Sequence, residues 1–256
     1  MGYLGVTAVL AFLYHDDALI ALAKPAGRIV IPGRGAARDE PCLRDDLAAE
    51  LGRPIHVVHR LDRGTSGVLL FALTADAHRA LSIAFERHQV DKRYWALCQG
   101  ILLGAGVIDR PLHPIRGGKV RVARPDETSG KPSVTAWRAL ERFVGKGEGE
   151  WESESESHSH RKTAGFTALE LRPRSGRLHQ VRAHLASIGH PLAVDPDYGG
   201  AEQLAAGQGV VLARVPLHAA SLRCKHPTTG AALEITAPLP EDLERTVAAL
   251  RRAAQI

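Results

Sequence analysis

The spacing of apolar and polar positions divides the chain into short strands and a few helices. Val9 to Tyr14 and Leu19 to Ala23 are apolar runs either side of Asp16-Asp17, a pattern that predicts a hairpin closing at Lys24-Pro25-Ala26-Gly27. Arg28 to Ile31 reads as a short strand entering the loop Pro32-Gly33-Arg34-Gly35. Pro41 to Leu51 has helical spacing, with Gly52 as its C-cap. Val57-Val58 and the run Val68 to Leu73 are strands on either side of His59-Arg60-Leu61-Asp62-Arg63-Gly64-Thr65-Ser66-Gly67, a loop with two glycines. Thr74 is placed to cap a helix from Ala75 to about His88, whose Ala77, Leu81, Ala84 and Phe85 share a face. In Asp91 to Gly100, strict alternation puts Tyr94, Ala96 and Cys98 on one side of a strand and Arg93, Trp95 and Leu97 on the other.

Further on, Val107 to Arg124 reads as a loop-rich region with prolines and glycines, and Ser133 to Phe143 and Gly165 to Arg172 as two strands. Arg174 to Ala186 starts as a turn and becomes a helix, with Leu178, Val181, Leu185 and Ile188 on its apolar face and Gly189-His190-Pro191 as its stop. Arg182 falls at the edge of that face, ~40° round from Leu178. An arginine drawn inward there needs a carboxylate partner. Asp195 to Gly200 is turn-rich. Pro216 to Cys224 and Ala231 to Ala237 are strands around His226-Pro227-Thr228-Thr229-Gly230, and Pro240 to Ala253 is a closing helix with Glu241 and Asp242 in its first turn. There is no internal repeat and no second composition class, so residues 1–256 are expected to pack as one unit of two closely joined halves.

Charge changes this picture. The 256 residues carry a formal net charge of +5. The segment Gly145 to Lys162 holds five glutamates in Glu-Ser alternation against Lys146, Arg161 and Lys162, so the remainder is more basic still, which favours a nucleic-acid partner. That segment cannot build a core and is expected to be a mobile acidic insert at about 145–163; its His158 and His160 are assigned no metal site. Cys42, Cys98 and Cys224 are too few and too far apart for a disulfide framework or a CxxC metal pattern. No apolar run approaches the roughly 20 residues of a membrane span, and Val6 to Leu13 lacks the flanks of a secretory signal. A cytoplasmic protein is expected.

Candidate chemistry centres on Asp62. A carboxylate between Arg60 and Arg63 stays ionised beside a basic loop suited to a polyanion, which fits a nucleophile or base acting on a phosphate-bearing substrate. Taken alone, the same residues more often describe a surface turn whose aspartate pairs with its neighbours, because structural ion pairs are far commoner than catalytic ones. Arg110, Arg116, Lys119, Arg121 and Arg124 against Asp109 alone suit phosphate contacts or a solvated face. Neither a metal cluster nor a glycine-rich phosphate loop is present to support a nucleotide hydrolase.

Ordered segments now decide between these readings. Lys24 to Gly27, the His59 to Gly67 loop, Lys92-Arg93-Tyr94-Trp95-Ala96, Ser175 to Leu185, Gly189-His190-Pro191 with Asp195 and Tyr198-Gly199, Leu217-His218-Ala219, and His226 to Gly230 before Ala237-Pro238-Leu239-Pro240 follow one another from about Leu13 to Leu250. In this order they resemble the RluA-type family of RNA pseudouridine synthases. The resemblance implies an α/β (α+β) fold, with a bent mixed, mostly antiparallel sheet flanked by helices around a central cleft. It also implies isomerisation of uridine in structured RNA (rRNA or tRNA) after base flipping, with no cofactor and no metal. Asp62 then matches the essential aspartate, Tyr94 the tyrosine stacked on the target uracil and proposed as a base, and Arg182 the basic residue paired with the aspartate. Arg60 matches an arginine that fills the gap left by the flipped nucleotide. His59, Arg63, Thr65, Arg116, Lys119, Arg121, Arg177, His179 and Gln180 are the remaining candidate RNA contacts. Leu178 departs from the family's Thr or Ser, and Ala193-Val194 from its usual residues before Asp195. No S4-type module precedes the catalytic part, and a monomer is expected. The alternative on the same fold is a catalytically silent RNA-binding protein.

Overall fold

A computed structural model of the protein describes residues 10–33, 40–144, 165–206 and 209–255. The acidic insert, the first nine residues and Arg34-Gly35 lie outside the described residues.

The first third of the chain builds one end of a ten-stranded sheet. β1 (Phe12–His15) and β2 (Leu19–Lys24) form the expected hairpin. Arg28 to Ile31 is not a strand: it makes a single parallel bridge, Ile29 to Cys42, and leads to α1 (Leu43–Leu51). Gly52 closes that helix in the left-handed conformation, with a backbone N–H returned to the Ala48 carbonyl. β3 (His56–Val57) and β4 (Ser66–Ala72) flank the Asp62 loop. α2 (Ala75–Glu86) follows, its first turn capped by the Thr74 hydroxyl, which accepts from the Ala77 N–H at 3.2 Å.

β5 (Asp91–Gln99) shows the two faces read from its alternation. The loop-rich reading of Val107 to Arg124 is corrected: β6 (Ala105–Asp109) is a sheet strand, and β7 (Leu112–Ile115) pairs with β8 (Lys119–Val122) in a separate hairpin. Pro114 is tolerated because a two-stranded ribbon has free edges. β9 (Val134–Val144) and β10 (Gly165–Pro173) pair along almost their whole length.

α3 (Gln180–Ser187) starts later than its sequence pattern suggested, so Leu178 lies ahead of the helix and is exposed, while Val181 and Leu185 are buried. A small hairpin, β11 (Leu204–Ala206) and β12 (Gly209–Leu212), then precedes β13 (Leu217–Lys225), β14 (Ala232–Thr236) and α4 (Glu241–Gln255).

The sheet order is β1-β2-β4-β13-β5-β10-β9-β6, with β3 added to β4 and β14 to β13. All of its pairings are antiparallel except β4 with β13. Both faces are covered. At one end α2 packs on Leu19, Val68 and Leu70, and α1 packs on Ile20, Leu69 and Phe71 on the opposite face. At the other end α4 covers Leu97 and Phe166, and α3 covers Ala96, Cys98 and Leu169. Tyr94 touches both the cluster under α1 and the cluster under α3, so it stands where the two ends of the sheet meet on that side. The three cysteines are free and buried, and no described helix is long and apolar enough to cross a membrane.

Candidate active site

The Asp62 loop is held by its backbone. Lys24, 1% exposed, sits beneath it and gives all three ammonium protons to carbonyls: Pro25 at 2.8 Å, Arg63 at 3.1 Å and Thr65 at 2.8 Å. Burial pushes Lys24 down to about 7, against the attraction of Asp62 and helped by Arg214, Arg28 and Arg63. Only the protonated form fills all three acceptors. The Gly27 N–H also donates to the Arg63 carbonyl, and the Thr65 N–H to that of Asp62. With its backbone tied, the loop presents the Asp62 carboxylate, 30% exposed, to a cleft of about 490 Å³.

Asp62, Tyr94 and Arg182 all line this cleft, together with Arg60, Lys92 and His179. The Tyr94 hydroxyl has no hydrogen-bond partner among the described residues. Burial, and secondarily the charge of Asp62, raises its pKa, so the side chain is a neutral phenol.

Arg182 departs from expectation. Its guanidinium is spent on Asp195 in a two-pronged bond, Nε to Oδ2 at 2.8 Å and Nη2 to Oδ1 at 2.7 Å, with Asp197 at 3.2 Å, and it lies 4.9 Å over the Tyr198 ring. Burial opposes its charge most strongly, but the bonds and charge of Asp195, with Asp62 and Tyr198 added through space, together outweigh it and raise its pKa. Asp62 therefore has no direct bond from Arg182; its ion-pair partner among the described residues is His179 Nε2, at 4.0 Å.

The other candidates divide by what already occupies them. His59 is a brace and not a free surface group: its Nε2 accepts the Leu70 N–H at 2.9 Å and its ring stacks on Phe85 at 4.8 Å. Burial pushes it down to about 3, so it stays neutral. Thr65 is buried. Gln180 is buried and fully bonded, accepting from the Ser175 hydroxyl and the Arg177 N–H and donating to the Val134 carbonyl and Thr135. It shapes the turn before α3. Lys119 pairs with Asp197, Arg121 with Glu127 and Arg63 with Glu40. Arg60, Arg116 and Arg177 are exposed, and none has a side-chain ion pair among the described residues.

Lys24, Lys92, Asp195 and Tyr198 belong to the site's scaffold, although nothing in their local pattern singles them out. Lys92 donates to the Ser175 carbonyl at 2.9 Å and so anchors the far wall of the cleft. Each lies inside a segment of the family pattern, which was the available signal. Among the described residues no group of three or more His, Cys, Asp or Glu is placed to hold a metal ion.

A carboxylate, a half-buried phenol and a buried arginine around one cleft in a two-sided sheet define an enzyme site built on side chains. The model of the RNA pseudouridylate synthase family matches residues 18–187. The chain is 36% identical over 262 residues to the ribosomal large subunit pseudouridine synthase D of Xanthomonas campestris pv. campestris, covering 96% of this chain and 72% of that one. It is 34% identical over 230 residues to the tRNA pseudouridine synthase C of Yersinia pestis, covering 90% and 86%. In fold it is similar to human RNA pseudouridylate synthase domain containing 4, with a TM-score of 0.68 at 24% identity, covering 94% of this chain and 93% of that one. The chain belongs to the RNA pseudouridylate synthase family, in its RluA-type branch, and is an isomerase of that class.

Proposed function

We propose that this enzyme converts particular uridines of structured ribosomal or transfer RNA to pseudouridine, with Asp62 as the reacting carboxylate. The observation that carries the reading is an accessible aspartate, on a loop whose backbone is fixed by Lys24, sharing the cleft with a half-buried tyrosine. The reaction breaks the C1′–N1 bond, turns the uracil and forms C1′–C5; C5 releases its proton and N1 takes one up, so the composition is unchanged. Both reacting carbons are shielded in a stacked helix, so the nucleotide must leave the stack to reach the cleft. Tyr94 supplies a flat face for the uracil and, as a neutral phenol, a hydroxyl that donates before it accepts. Arg182 holds positive potential near Asp62 while Asp195 keeps it in place. Arg60, Arg116 and Arg177, which have no ion pair among the described residues, are offered to the RNA backbone, with Arg60 beside the flipped nucleotide. The protein acts as a cytoplasmic monomer.

Asp62→Asn is expected to abolish tritium release from 5-tritiated uridine in transcribed ribosomal or transfer RNA, while RNA affinity changes by no more than about threefold. Release at the wild-type rate from that variant would refute the assignment.

A further inference from the structure

His179 is twisted into an unusual backbone conformation just ahead of α3, with φ 49, one of two non-glycine residues in the described chain with positive φ. For a side chain bearing a Cβ this is an unfavourable conformation that the surrounding structure has to hold. The twist sets its ring between Tyr198 and Asp62, only 16% exposed. The Tyr198 hydroxyl oxygen accepts the Val120 N–H at 3.0 Å and lies 3.0 Å from His179 Nδ1. A phenol has one proton, and among the described residues His179 Nδ1 is the only acceptor for it. With Nδ1 as that acceptor, the ring proton falls on Nε2, the nitrogen 4.0 Å from Asp62 Oδ2. At that separation the attraction is electrostatic and not yet a hydrogen bond. Burial lowers the His179 pKa; Asp62, Asp195 and Asp197 oppose that and Arg182 adds to it, so the neutral tautomer is the form that matters.

We propose that Val120, Tyr198 and His179 form a hydrogen-bonded chain that fixes His179 as an Nε2–H donor toward Asp62, making Tyr198 and His179 positioning residues for the reacting carboxylate. The inference rests on Asp62 being that carboxylate. An N–H aimed at Oδ2 leaves Oδ1 free for the substrate, and a neutral donor does so without the tight hold an imidazolium would exert. Because Val120 belongs to β8, the chain also ties the orientation of Asp62 to the β7–β8 hairpin. That hairpin carries Arg116 in its turn, so RNA seated there would bear on the carboxylate through this chain.

The test is nitrogen-15 NMR of the histidine rings in the RNA-free enzyme, joined to tritium-release kinetics on transcribed RNA. The wild-type His179 ring is expected to be the Nε2–H tautomer alone, and Tyr198→Phe to bring in the Nδ1–H form and lower kcat by about tenfold or more, with KM within about twofold. His179→Gln, which keeps an N–H at the far end of the side chain, is expected to retain more kcat than His179→Asn, which cannot reach. Adding Tyr198→Phe to His179→Gln should cost little more, because the hydroxyl acts through the ring. An Nδ1–H or mixed tautomer in the wild type, or an unaltered kcat in Tyr198→Phe, would overturn the chain. Wild-type enzyme inactive on every RNA would count against the proposed function instead, and the tautomer measurement would still decide this inference.

Discussion

Lys24 shows how a single residue determines whether the catalytic loop exists. A buried ammonium is expensive, and here its cost is offset by three carbonyl acceptors, two of them on the Asp62 loop. Lys24→Met keeps the volume and removes every donor, leaving those carbonyls unpaired. The expected result is a loss of about 2–3 kcal/mol in stability, read from the denaturant midpoint. A fall in kcat should go with it, because the loop is no longer pinned. Full activity in a variant of unchanged stability would show that Lys24 is incidental. At this scale the sequence was informative about which residues gather and silent about how they bond. Asp62, Tyr94 and Arg182 do line one cleft. Arg182, however, bonds Asp195, a residue only 13 positions on, hidden in a stretch whose prolines and glycines read as nothing more than a turn. His59 was misjudged for the opposite reason: it stands in the motif, but its ring turns inward to the Leu70 amide, a direction that periodicity does not report.

Elements with a strong local signal were legible. Gly52 ends α1 and Thr74 starts α2 because cap chemistry acts within a few residues. The β11–β12 hairpin and the late start of α3 were not, since short or mixed segments depend on what packs over them. Nor does any local rule report that β4 runs parallel to β13, the pairing that lets one strand leave the Asp62 loop and enter the middle of the sheet. Gly67 carries that pairing. Its φ is +114, and a Cβ there would lie 2.2 Å from the Ala219 carbonyl oxygen, a backbone atom. Gly52 has φ +61 but open space around it. The two Gly→Ala variants separate conformational cost from collision. Gly52→Ala should cost about 1 kcal/mol, and Gly67→Ala about 3 kcal/mol, with β4 and β13 forced apart. Equal losses in thermal or chemical unfolding would mean the close approach is not what Gly67 serves.

Across the whole molecule, the two ends of the chain are fastened by one acid. Asp16, in the β1–β2 turn, accepts from the Ala18 and Leu19 amides, from the Tyr14 hydroxyl at 2.8 Å and from His226 Nε2 at 2.7 Å. His226 in turn accepts the Thr228 and Thr229 amides on Nδ1, so the turn before β14 is organised around the same ring. The segment His226 to Gly230, a plain turn by composition, is thus half of a clamp between residues 210 positions apart. Burial works against the Asp16 charge, yet the Leu19 and Ala18 amides with Tyr14 and His226 hold it down at about 2, below its ordinary 3.8. A carboxylate lowered on folding contributes stability that is fully present above its unfolded value and is lost as pH falls toward the folded one. The clamp should therefore hold from neutral pH down to about 4 and fail between about 4 and 2. Asp16→Asn removes the charge at every pH. It should be less stable than the wild type by about 1 kcal/mol near pH 6, where four charge-assisted bonds become neutral or are lost in a partly exposed turn. That gap should close as both proteins are taken from pH 4 to pH 2, since protonation makes the wild type resemble the variant. A gap that stays constant across this range in urea unfolding would place the acid sensitivity elsewhere and leave the clamp as geometry alone.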